Sequence, residues 1–64
     1  MYARAYWLLA SILYDMDDLP GAEQSVRRAI ELDPKDASNY WLLGSILKDK
    51  CDPLGAEQSF RRAI

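Results

Sequence analysis

Three kinds of residue in this chain have types and spacings that could support chemistry: clustered acids, paired arginines, and aromatics at a fixed interval. Asp15, Asp17 and Asp18 crowd one short stretch, and clustered carboxylates are what a calcium loop uses. Such a loop also needs a glycine at its sixth position and a glutamate at its twelfth. Counted from Asp15, those positions hold Pro20 and Val26, so the cluster lacks the pattern and no metal site is expected. Cys51 is the single cysteine and histidine is absent. That combination rules out the usual zinc ligand sets and a Cys/His nucleophile pair. A lone cysteine forms no internal disulfide, so nothing argues for an oxidising compartment. No acid is forced into a dry pocket by its spacing. The chain is read as non-catalytic and without a cofactor.

The arginine pairs Arg27-Arg28 and Arg61-Arg62 are candidates for phosphate contact. The formal net charge of the 64 residues is −2, too small to favour nucleic acid or an anionic membrane. Glu23 lies four residues before Arg27, the favourable order for a helical ion pair. A solvated outer helix face accounts for these arginines. The aromatics are more informative. Trp7 and Trp41 recur 34 residues apart, on strips that also hold Arg4, Ser11, Tyr14 and Asp15, and Ser38, Ser45, Lys48 and Asp49. Large aromatics on a face that the core does not need are typical anchors for a partner.

The elements that position these strips follow from a repeat. Gly21-Ala22-Glu23-Gln24-Ser25-Val26-Arg27-Arg28-Ala29-Ile30 returns at 55–64 with Phe60 in place of Val26, and 6–13 returns at 40–47 with Gly44 in place of Ala10. About two-thirds of the overlapping pairs are identical, which marks one supersecondary unit used twice. At about 100° per residue, Ala5, Tyr6, Leu8, Leu9, Ala10, Ile12 and Leu13 fall on one broad arc. A helix from about Tyr2 to Asp15 with so wide an apolar face is expected to be packed on two sides. Asp18 caps a second helix, from about Leu19 to Leu32, with Pro20 in its first turn. Asp33-Pro34 ends that helix. Asp36 caps a third, about Ala37 to Asp49, and Asp52 with Pro53 opens a fourth that runs to the last residue. Short links make the four helices antiparallel neighbours. The expected fold is all-α: two helix-turn-helix units in one domain over 1–64, the first about 3–36 and the second about 37–64.

A helix-turn-helix unit of this period resembles the tetratricopeptide repeat. Tyr6, Leu9, Ala10, Leu13, Ala22, Val26, Ala29 and Pro34 carry the resemblance in the first copy. Tyr40, Leu43, Gly44, Leu47, Ala56, Phe60 and Ala63 carry it in the second. Tyr replaces the family's Trp, Leu13 and Leu47 replace a Tyr, and Asp17 and Cys51 stand where the turn usually has Gly. A side chain at that turn is unfavourable at positive φ, so the turn is expected to be either strained or differently shaped. The resemblance implies an α-solenoid that binds a protein or peptide on the concave strip made by the first helix of each repeat. That strip is Arg4, Trp7, Ser11, Tyr14 and Asp15 with Ser38, Trp41, Ser45, Lys48 and Asp49. One family variant grips a C-terminal carboxylate with Lys and Asn. Here the matching positions carry Trp7 and Ser11, then Trp41 and Ser45, so that clamp is not expected. RNA-reading relatives use the first helix, whereas the arginine pairs lie on the second.

The family usually closes its array with a capping helix, and none follows Ile64 in this sequence. Ala56, Phe60, Ala63 and Ile64 are therefore expected to self-associate, as a homo-oligomer or a head-to-tail stack. A two-fold dimer and swapped helices are the competing arrangements, the latter encouraged by the turn at Asp17. The near-identity of the copies also fits a fragment or an engineered duplication acting as a structural repeat module. No apolar run approaches the roughly 18 residues of a membrane span. The start Met1-Tyr2-Ala3-Arg4 does not read as a signal peptide, so a cytoplasmic setting is the default expectation.

Overall fold

The computed structural model describes residues 2–64. They form α1 (Ala3–Asp15), α2 (Leu19–Leu32), α3 (Ala37–Asp49) and α4 (Pro53–Ala63), with no strand among the described residues. The helix ends follow the capping residues. Asp18 accepts from the Gly21 N–H and Asp52 from the Gly55 N–H, both at 3.1 Å. Asp36 accepts from the Ser38 N–H at 3.0 Å and from its hydroxyl at 2.7 Å. Each carboxylate satisfies amides that the first turn leaves free, at the positive end of the helix dipole. α4 stops at Ala63, one residue short of the expected run to Ile64, and α1 begins at Ala3 rather than Tyr2.

Both hairpin turns have the same build. Asp17 and Cys51 stand at φ 63° and 64°, the left-handed region. The Asp18 N–H reaches the Leu13 carbonyl and the Asp52 N–H the Leu47 carbonyl, each at 2.8 Å. The Asp17 and Cys51 N–H groups reach Tyr14 and Lys48 at 3.0 Å. This paired pattern is the Schellman motif, which usually has glycine at the left-handed residue. Of the two expected outcomes, a strained turn or a different shape, both copies have the first, held by hydrogen bonds that the open helix ends require.

α1 packs chiefly on α2 and α3 on α4, while α3 also packs on α2 and touches α1. The core centres on α3. Ile46 and Val26 are fully buried, with Leu42, Leu43, Leu47, Ala10, Ala22 and Ala56 around them. Gly44 lets two helices come close: a Cβ there would stand 2.7–2.9 Å from the Phe60 ring. The equivalent position in the first repeat, Ala10, carries its Cβ, and its partner position holds the smaller Val26. Residue volume is thus exchanged across the hairpin, as close packing requires.

One expectation is corrected. The apolar arc of α1 is packed on one side only. Ala10 is buried and Leu13 half-buried, but Leu8, Leu9 and Ile12 are 51%, 45% and 56% exposed. The reason is positional: α2 is the main neighbour of α1 and α3 only touches it, which leaves Leu8, Leu9 and Ile12 largely open.

Candidate functional site

The hairpins set α1 beside α3, and hydrogen bonds tie the two helices. The Trp7 indole N–H donates to the Ser38 carbonyl at 3.3 Å. The Tyr14 hydroxyl donates to Asp49 Oδ2 at 2.7 Å. These bonds run between repeats, so four residues of the expected strip already hold one another. The Asp49 carboxylate, as acceptor of the phenol proton, raises the Tyr14 pKa above its ordinary value; desolvation and the charges of Asp49 and Asp15 act in the same direction. The Ser38 hydroxyl and then its amide lower the Asp36 pKa, with a smaller contribution from the positive charge of Arg4.

The remaining strip residues differ in what they leave free. Arg4 is exposed, with its guanidinium 5.6 Å from the Trp7 ring centre. Ser11 and Ser45 are half-buried, and the Ser45 hydroxyl turns back to the Trp41 carbonyl at 3.2 Å. Asp15 and Lys48 are exposed. Trp41 is 62% exposed. Its ring leans on Phe60, centroids 4.8 Å apart and planes tilted by 56°, a favourable aromatic geometry that limits its freedom. Trp7 and Trp41 are chemically equal by sequence, yet only Trp41 has most of its surface open.

At the far end, the expected association residues separate. Ala56 is only 4% exposed and belongs to the core beneath α3. Phe60 and Ala63 are half-buried, and Ile64 is fully exposed. The arginine pairs face outward and are opposed locally. Arg27 pairs with Glu23 at 2.9 Å and Arg61 with Glu57 at 3.6 Å. Arg28 and Arg62 lie over Tyr6 and Tyr40 at 5.8 and 5.9 Å. An open hollow of roughly 490 Å³ lies between Arg27, Ile30, Tyr40, Leu43 and Arg62, but its arginines are matched by an acid or a ring rather than left bare.

Three features were not anticipated from the sequence. Lys50 binds Glu23 across the repeats; its bond, before that of Arg27, lowers the Glu23 pKa against the opposing effect of burial. Asn39 is 1% exposed and donates to the Asp33 carbonyl at 3.4 Å, while its Oδ1 accepts from no described group. The open apolar row Leu8, Leu9 and Ile12 is the third. The positions where the copies differ carry the signal for the first two: Met16 against Lys50 and Ala5 against Asn39.

Among the described residues no group of three acids or thiols is placed to hold a metal ion. No helix among them is long and apolar enough to cross a membrane. The family profile described as the tetratricopeptide repeat matches residues 3–36, which is the first hairpin and the link after it. No curated protein and no solved structure matches the chain. The profile covers more than half of the sequence, the second hairpin repeats the first at 34 residues, and the helices pack as paired hairpins. On these grounds the chain belongs to the tetratricopeptide repeat family, whose members are in general non-catalytic modules for protein–protein interaction.

Proposed function

We propose that the chain binds an extended or helical segment of a partner protein along the strip formed by α1 and α3, with Trp41 as the principal anchor. The observation that supports this reading is the difference between the two tryptophans. Trp7 is half-buried and bonded to the next repeat, whereas Trp41 keeps 62% of its surface open and is braced by Phe60. A large aromatic held in place loses little entropy on binding, so its burial is retained as affinity. The flanking charges balance: Arg4 and Lys48 against Asp15 and Asp49. The favoured ligand is therefore a segment with an aromatic or aliphatic side chain for Trp41 and little net charge, rather than an acidic tail.

A displayed library of random 12-residue peptides, followed by titration of selected peptides against tryptophan fluorescence, tests this. Saturable binding is expected, weakened about tenfold or more by Trp41→Ala and much less by Trp7→Phe. Selected peptides that bind Trp41→Ala as well as the parent chain would refute the strip as the site, and so would the absence of any saturable peptide.

A further inference from the structure

The open face of α1 is a copy of a face of α3 that is buried among the other helices, α2 of the preceding repeat included. Leu8, Leu9 and Ile12 are the 34-residue counterparts of Leu42, Leu43 and Ile46. The first three are 45–56% exposed and the second three 0–9%. At the other end, α4 repeats the decapeptide of α2 with the single change of Val26 to Phe60. The molecule thus displays both halves of its own inter-repeat joint. We propose that a second copy of this chain fills it, α1 of one molecule stacking on α4 of another as α3 stacks on α2. The contact joins unlike surfaces, so it does not close on itself and gives an open head-to-tail file.

The polar contacts of the internal joint show how well the outer one is matched. Trp7 donates to the Ser38 carbonyl; displaced by one repeat, Trp41 meets the Arg4 carbonyl of the second copy. The acceptor is backbone, so the change of side chain from Ser to Arg leaves it intact. Tyr14 donates to Asp49; displaced by one repeat, Lys48 meets Asp15 of the second copy. A bond from a phenol to a carboxylate becomes an ion pair between two residues that are exposed in the single chain. Lys50 binds Glu23; displaced, Met16 meets Glu57, and that pair is lost. One surface ion pair replaces another of similar weight, so the three aliphatic side chains and the retained indole bond decide in favour of stacking. Such a file would also continue the α1/α3 strip from molecule to molecule, and at each joint Trp41 is engaged as Trp7 is within the chain, so that stacking competes with a peptide for Trp41.

Sedimentation equilibrium over a wide concentration range is the test, with circular dichroism to show that every variant keeps its helices. The mass of the parent chain is expected to grow past a dimer as concentration rises. Ile12→Arg, at a position already 56% exposed, is expected to remain helical and monomeric, and to shorten parent files when added in small amounts. Lys48→Glu and Asp15→Lys are each expected to weaken association about tenfold or more by placing like charges together. An equimolar mixture of the two restores opposite charges at every joint and is expected to recover the parent masses. A parent that stays monomeric, a mass that stops at a dimer, unchanged association of Ile12→Arg, or no recovery on mixing would each overturn the proposal.

Discussion

α1 and α3 present nearly the same side chains and lead opposite lives. Leu42 and Ile46 are 9% and 0% exposed; Leu8 and Ile12, the same residues one repeat earlier, are 51% and 56% exposed. Nothing within either helix explains this. α3 has α4 on one flank and α2 on the other, whereas α1 has only α2 as its main neighbour. In a repeat protein, burial belongs to the joint between units and not to the unit, so identical residues contribute unequally to stability.

The largest test of that comparison is to cut the same side chain in both places. Ile46→Ala removes a fully buried side chain and is expected to cost about 2–5 kcal/mol, a large share of the margin of a chain this small. Ile12→Ala is expected to cost less than about 1 kcal/mol, because half of the side chain is already in water. Urea denaturation at dilute concentration reads both, and equal losses would dissolve the contrast.

A smaller effect tests the volume exchange within the hairpins. Gly44→Ala brings a Cβ against the Phe60 ring and is expected to cost about 1–3 kcal/mol. The pair Gly44→Ala with Phe60→Val transplants the combination of the first repeat. The second change is expected to be much less damaging in the presence of the first than alone, a coupling that a double-mutant cycle measures.

The smallest effect tests the joint's ion pair. Lys50→Met copies Met16 into the second repeat and is expected to cost about 0.2–1 kcal/mol near neutral pH. Glu23 has its folded pKa lowered, first by Lys50. Its contribution is therefore present above the ordinary glutamate range and is lost as the pH falls through the lowered folded value. Lys50→Met is expected to flatten the acid limb of the stability curve. An acid limb unchanged from the parent would show that the pair adds nothing to the joint.

Much of the fold is legible from local rules. Asp18, Asp36 and Asp52 each cap the helix that follows, and Asp33-Pro34 closes α2, because capping and proline chemistry act over a few residues. For the turns at Asp17 and Cys51 the sequence leaves two outcomes open, a strained left-handed residue or a different turn shape, and the structure has the first. The strip was legible as a set of positions but not as a set of contacts. Trp7 reaches Ser38 and Tyr14 reaches Asp49 over 31 and 35 residues, and helical periodicity within one element carries no information at that range. The α1 arc was misjudged on the same account: its width promised two neighbours, and a helical wheel has no way to tell a present neighbour from a missing one.

The two left-handed turn residues bear on how the molecule could misassemble. A hinge with a Cβ at positive φ costs about 1–2 kcal/mol, and opening it so that two helices fuse into one rod would relieve that. In such a rod, Pro53 would sit in the interior between α3 and α4, and Pro20 between α1 and α2, where each costs about 3 kcal/mol or more. The relief is smaller than the penalty. Exchange of arms by straightening is therefore disfavoured at both hinges, and each hairpin is kept folded back on itself by the proline that follows its bend.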